Sequence, residues 1–477
     1  MTKKHDFLVG REWKQSVRSL PVVNPYTQEA FAEICLADKT EIEKAIALAD
    51  QAFQRTRKMP AYLRSRICSG IAEKIKARAG DFARTIALES GKPLVFARAE
   101  VERSISTFII AAEEALRING ETLTLDITEP ARGKAGLVWR YPIGPVAGIS
   151  PFNFPLNLIA HKVAPALACG NPIVIKPSTT TPLTALLLGE VILETELPEG
   201  GFSVLPCSNQ DASALVEDPR FKMVTFTGSV EVGWDIKRRA GKKKVTLELG
   251  GNAAVIIEPD CDLKTAAKKV CFGAFAFSGQ VCISVQRCYV HESRFGEFTE
   301  LLLKEVAALK SGDPLDETVN FGPMIDEKNA RRIEDWTREA VDKGARLLAG
   351  GKREGTYYPP TVLTGVDPKA EVSCNEAFGP ILVVEPYKDF QQALDLVNTS
   401  DFGLQAGVFT NQMDKTLRAF NQLEVGGVII NDVPTFRVDN MPYGGLKDSG
   451  FGREGIKYSI EEMTEIKLLV FNHYRED

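Results

Sequence analysis

Residues 245–257 read Val-Thr-Leu-Glu-Leu-Gly-Gly-Asn-Ala-Ala-Val-Ile-Ile. Two β-prone runs, 245–249 and 253–257, flank a Gly-Gly-Asn turn, and Ala254-Val255-Ile256-Ile257 is apolar on both of its faces. A strand apolar on both faces must be covered on both, which is the habit of a parallel sheet sandwiched between helices. Upstream the alternation repeats. Strands are predicted at 146–150, 172–176, 202–205 and 223–227, with helical runs between most of them. Nucleotide sites in such sheets lie at the carboxyl ends of the strands.

Toward the N-terminus, short strands and turns give way to helices predicted from residue 40 to 53, 62–79, 81–90 and 95–118. Thr40-Glu41-Ile42-Glu43 has the form of a capping box, and Gly91 is a helix stop. Segment 121–141 reads as two strands joined by a turn, a hairpin able to project. After Asp260 a second helix and strand set runs to Val433 and resembles another α/β domain. The apolar tail Ile466-Lys467-Leu468-Leu469-Val470-Phe471 has no neighbour in sequence, so it is expected to pair with the hairpin or with another subunit.

Composition excludes several classes. The 477 residues carry 58 Lys+Arg and 63 Asp+Glu, a formal charge of −5, which supplies no basic field for nucleic acid or an anionic membrane surface. No run of about 18 apolar residues is present, so no membrane span is expected. Nine cysteines without a CxxC pair suit a reducing cytoplasm, and the four scattered histidines, His5, His161, His291 and His473, read as surface or packing residues, so no metal site is expected. Gly450-Phe451-Gly452-Arg453-Glu454-Gly455 fits G-x-G-x-x-G but follows no predicted strand, and reads as a loop.

Chemistry concentrates in three places. Cys282 follows the Gly-containing turn of Phe-Ser-Gly-Gln-Val-Cys, Glu248 ends a predicted strand just before two glycines, and Asn153 is held between Pro151 and Pro155. These are a candidate nucleophile, a candidate base and an amide able to stabilise an oxyanion. A buried structural thiol would look much the same as Cys282.

The sequence resembles the aldehyde dehydrogenase superfamily over nearly its whole length. The motifs stand in order as Pro151-Phe152-Asn153-Phe154-Pro155, Lys176-Pro177-Ser178, Phe226-Thr227-Gly228-Ser229, Glu248-Leu249-Gly250-Gly251-Asn252, Gly279-Gln280-Val281-Cys282, Glu376-Ala377-Phe378-Gly379-Pro380 and Pro442-Tyr443-Gly444-Gly445. The resemblance implies an α/β fold with a Rossmann-like cofactor-binding domain (1–120 and 142–250), an α/β catalytic domain (251–447) and a β-arm for oligomerisation with the C-terminal tail (121–141 and 448–477). It implies oxidation of an aldehyde to the acid through a thiohemiacetal and thioester on Cys282, with Asn153 and the Cys282 backbone N–H at the oxyanion and Glu248 as the base, and without a metal. NAD or NADP would lie against Ser150, Phe152, Lys176, Ser178, Thr179, Gly228, Ser229, Leu249, Glu376 and Phe378, and the chain would assemble as a homodimer or homotetramer.

Two departures from the common pattern bear on specificity. Thr179 replaces a glutamate that in many NAD-preferring members repels a 2′-phosphate, so NADP is expected to be accepted and even preferred, and Phe152 replaces a tryptophan. Arg103 and Arg437 match positions where members acting on small charged aldehydes bind the anion, which points to a substrate of the glyceraldehyde 3-phosphate, phosphonoacetaldehyde, succinic semialdehyde or lactaldehyde type. Ile283 places no third charge beside Cys282. The competing readings are an acylating enzyme that passes the thioester to coenzyme A, disfavoured by Glu248, and a non-catalytic module with the same fold.

Overall fold

A computed structural model describes residues 3–472. His473 and the rest of the tail after Asn472 lie outside the described residues, as do Met1 and Thr2.

Two large sheets organise the chain. The first has eight strands, and its centre is parallel in the spatial order Lys244–Glu248, Met223–Thr227, Val146–Ile149, Ile173–Lys176, Phe202–Val204. The apolar runs explain why it is buried on both sides: Ile173 and Ile175 enter one core, while Val174 enters the core on the opposite face. Strand order reverses between Val146–Ile149 and Met223–Thr227, because the chain builds outward from the first of these and later returns to its other side. The crevice above such a reversal is where α/β sheets take ligands. Register aligns the strand ends there, with Ile149 opposite both Lys176 and Phe226, and Thr227 opposite Glu248.

The second sheet has seven strands, parallel except for the edge strand Arg346–Ala349, and Val255 and Ile257 face one core while Ala254 and Ile256 face another. The chain passes from Lys244–Glu248 in the first sheet to Ala253–Ile257 in the second through four residues. Carboxyl ends of one sheet therefore meet amino ends of the other. A methyl added at Gly251 would lie 2.1 Å from the Cys282 carbonyl oxygen, so glycine is required where the two sheets touch.

The hairpin and the tail form one three-stranded antiparallel sheet, in which Thr464–Asn472 pairs along its whole length with Lys134–Pro142, and Glu121–Thr124 takes the far side. The tail thus pairs with the hairpin of the same chain, one of its two expected partners. Gly450–Phe451 is a short edge strand against Leu247 and Glu248 of the first sheet rather than a free loop, and a methyl at Gly450 would lie 2.3 Å from the Leu247 carbonyl oxygen. The following helix, Ile456–Glu462, packs on Asn157–Cys169.

The first long helix, Lys39–Thr56, is not opened by the Thr40 capping box. Asp38 caps it instead, its carboxylate accepting from the amides of Thr40 at 2.9 Å and Glu41 at 3.0 Å. A charged acceptor serving two amides out-competes a hydroxyl serving one. Gly91 does end Ala79–Ser90, in the left-handed region at φ +70°.

Candidate active site

A cavity of about 410 Å³ opens where the sheets meet. It is lined by Cys282, Asn153, Phe152, Gly228, Ser229, Leu249, Glu376, Phe378, Arg103 and Arg437, ten of the fifteen residues singled out from sequence. Glu248, Lys176, Ser178, Thr179 and Ser150 stand beside it at the strand ends, not on its wall.

The nucleophile turn is wound by three consecutive left-handed residues, Phe277, Ser278 and Gly279, with φ of 49°, 53° and 68°. Ser278 Oγ donates to the Gly322 carbonyl at 2.6 Å and the Ile325 amide donates to Gln280 Oε1 at 2.9 Å, which holds this otherwise unfavourable backbone. Cys282 Sγ lies 3.2 Å from Tyr443 Oη. Burial pushes the thiol pKa up to about 12, against a lowering contribution from Tyr443, so the thiol keeps its proton until a base removes it.

Asn153 Nδ2 donates to the Gln280 carbonyl at 2.9 Å, which spends one of its two hydrogens and ties the oxyanion loop to the nucleophile turn. Glu248 is buried, and neither carboxylate oxygen has a hydrogen-bond partner among the described residues. Burial, then the charge of Glu454, raises its pKa well above the ordinary carboxylate range. A carboxylate made this basic is suited to taking a proton from water.

Sequence reasoning missed what stands behind these groups. Lys162 lies on Asn157–Cys169, a helix buried at every position, and its ammonium reaches Thr227 Oγ1 at 2.7 Å and Glu454 at 3.1 Å. A lysine inside an uninterrupted buried helix was the available signal. Arg437 is sealed in: it pairs with Glu454 at 3.1 Å and lies 3.6 Å over the Tyr443 ring. Arg103 pairs with Asp439 at 2.8 Å, and the same Asp439 oxygen lies 2.7 Å from His161 Nε2. His161 is therefore a buried polar partner, whereas His5 and His291 are the packing and surface kind; burial, then Arg437, pulls its pKa down and keeps it neutral. Arg103 Nε and Arg437 Nε are buried without partners among the described residues.

The residues at the strand ends fit a dinucleotide. Lys176 is 7% exposed, is pulled down in pKa by burial, and its ammonium has no hydrogen-bond partner among the described residues. Ser229 precedes helix Val230–Arg239 without its side chain capping it, leaving free amides at a helix N-terminus next to Gly228. Glu376 accepts from the Gly251 amide at 2.9 Å, has its pKa raised to about 7 by burial, and lies so close to Gly250 that a methyl there would sit 2.5 Å from its carboxylate. Phe378 is held at φ +44° with its ring edge-on to Phe152 at 5.8 Å. Thr179 is half-buried. Among the described residues no group of three or more potential metal ligands is gathered, and no helix is long and apolar enough to cross a membrane.

A parallel sheet with a strand-end crevice of the kind that takes nucleotides faces a cysteine, a raised carboxylate and a side-chain amide. The aldehyde dehydrogenase family pattern matches residues 13–469, and the chain belongs to that family. It is 43% identical over 471 residues to a 3-sulfolactaldehyde dehydrogenase of Priestia aryabhattai, covering 98% of each chain. It is 41% identical over 459 residues to a lactaldehyde dehydrogenase of Methanococcus vannielii, covering 95% of this chain and 97% of the other. Aldehyde dehydrogenase 21 from Physcomitrella patens, solved in complex with the reaction product succinate, superposes with a TM-score of 0.97 at 46% identity over 99% of both chains. The protein is an NAD(P)-dependent oxidoreductase acting on aldehydes.

Proposed function

We propose that the protein oxidises a small anionic aldehyde to its carboxylic acid, with Cys282 as nucleophile, Asn153 as oxyanion donor and Glu248 as base. The observation that carries the substrate class is the pair of guanidiniums in the cavity wall: Arg103 and Arg437 are each ion-paired through one terminal nitrogen, which leaves the other terminal nitrogen for a ligand. A carboxylate, phosphate or sulfonate on the aldehyde would satisfy them. The relatives that act on sulfolactaldehyde or hold succinate support the same class.

The chain's own groups divide the reaction between them. Ionised Glu248 takes the Cys282 proton and releases it to solvent, the thiolate adds to the carbonyl carbon, and the oxygen that becomes anionic is received by the second Asn153 hydrogen and the Cys282 backbone N–H. The dinucleotide, held by Lys176, Ser178, Thr179, Ser150, Phe152, Gly228, Ser229, Leu249, Glu376 and Phe378, supplies the hydride acceptor. Glu248 then takes a proton from water as that water attacks the thioester carbon, and the acid leaves with Cys282 restored. A hydrolytic base of this kind is of no use to an enzyme that hands its thioester to coenzyme A.

Thr179 in place of a repelling carboxylate supports use of NADP. The arm supports self-association, because Ile466, Leu468, Leu469 and Val470 stand exposed on an edge strand. Nine free cysteines support a reducing cytoplasmic setting, in which Cys282 remains a thiol.

The substrate class is tested with Arg103→Gln. KM for succinic semialdehyde or glyceraldehyde 3-phosphate is expected to rise at least about tenfold while KM for propanal stays within about twofold; equal changes for both would remove the anion from the reading. The Methanococcus relative favours a second reading, an uncharged hydroxy aldehyde. A higher kcat/KM for lactaldehyde than for any anionic aldehyde would select it.

A further inference from the structure

Asn153 sits on a loop, and a loop holds a donor in place only when something rigid grips it. The grip comes from the helical layer. Lys92, between helices Ala79–Ser90 and Leu94–Ala115, and Glu100, on the second of them, are fully buried and ion-paired to each other. Lys92 Nζ also donates to the main-chain carbonyl of Asn153 at 2.7 Å. The other carboxylate oxygen of Glu100 accepts from the amides of Leu156 at 2.9 Å and Asn157 at 3.1 Å, where helix Asn157–Cys169 begins. A single buried pair thus holds the oxyanion loop at its middle, Asn153, and at the end where it enters the helix.

The same ammonium reaches the nucleophile turn. It lies 3.8 Å from the ring centroid of Phe154 on the oxyanion loop and 4.5 Å from that of Phe277 on the nucleophile turn, and the two rings meet edge to face at 6.4 Å. The Asn153 side chain bridges to that turn as well, through the Gln280 carbonyl. A buried ion pair contributes little net stability, because desolvating two charges offsets most of their attraction, so stability alone does not account for this one. Its contacts instead converge on the two segments whose relative position sets the distance from oxyanion donor to thiol.

We propose that Lys92, together with Glu100, is a positioning residue that clamps the oxyanion loop to the nucleophile turn and so places the Asn153 amide relative to Cys282. The inference rests on the reading of Asn153 as the oxyanion donor, and the experiment separates the two.

The measurement is kcat for dinucleotide reduction with saturating aldehyde. Asn153→Ala is expected to lower kcat by about 10²–10³-fold; an unchanged kcat would remove the reading of Asn153 itself. Lys92→Met/Glu100→Gln, which leaves no buried charge alone, is expected to lower kcat about 10–100-fold with KM for the dinucleotide within about twofold. In an Asn153→Ala background the same pair of changes should alter kcat less than about twofold, because the donor they place is already gone. Wild-type kcat in the pair variant, or the full loss repeated in the Asn153→Ala background, overturns the clamp while leaving Asn153 in its role. If the pair variant does not fold, Lys92→Arg takes its place. The longer guanidinium must displace the Asn153 carbonyl from a fully buried slot, so the same coupled loss is expected and the same two results overturn the proposal.

Discussion

Glu248 stands among buried groups with no hydrogen bond to either oxygen among the described residues and with Glu454 close enough to raise its pKa further. A group whose folded pKa exceeds its unfolded value of about 4.5 keeps its proton on folding, so above that pH the unfolded state, which can ionise freely, gains relative to the folded one. Stability is therefore lost as pH rises. Glu248→Gln should melt like wild type below about pH 4.5 and increasingly above wild type as the pH rises past that value. The same variant should lose acid release and the increase of kcat with pH that ionisation of Glu248 gives the wild type. A midpoint difference independent of pH would show that Glu248 is not held protonated. Thr179 carries a second prediction at this scale: Thr179→Glu restores a carboxylate beside Lys176 and should raise KM for NADP at least about tenfold while sparing NAD. A wild-type kcat/KM for NADP more than tenfold below that for NAD would sink the preference itself.

At the scale of elements, the site depends on where chain segments touch. Gly251 packs against the Cys282 carbonyl at the passage between the two sheets, so Gly251→Ala must push the nucleophile turn aside. A kcat loss of about 10²-fold is expected, with little change in dinucleotide affinity measured by fluorescence titration. Helix positions were legible from periodicity and Gly91, because those signals are local. The capping-box reading starts the first long helix two residues too late. Thr40 and Glu43 carry the right letters, yet Asp38 two residues earlier offers the stronger acceptor and reaches the amides first. Gly450–Phe451 was read as loop because two residues hold no periodicity, and only the neighbouring strand makes them an edge.

At the scale of the whole molecule, the arm is a three-stranded sheet whose outer strand, Thr464–Asn472, has one edge unpaired among the described residues and four large apolar side chains exposed between Ile466 and Val470. Leu468→Asp/Val470→Asp should shift the mass in sedimentation toward the monomer while leaving the fold, read by circular dichroism, intact; an unchanged mass would place self-association elsewhere.

Sequence alone determined the parallel-sheet class, the order of the two α/β units and the identity of Cys282, Glu248 and Asn153 as candidates, because apolar runs, turn glycines and motif spacing are local properties of the chain. Tertiary structure decided what surrounds them. Lys92 and Asn153 are 61 residues apart, Lys162 and Glu454 are 292 apart, and His161 and Asp439 are 278 apart. Each partner alone reads as an ordinary polar residue. Only when the sheets bring them together without water does a lone charge become costly enough to require its partner, and that requirement is what arranges the site.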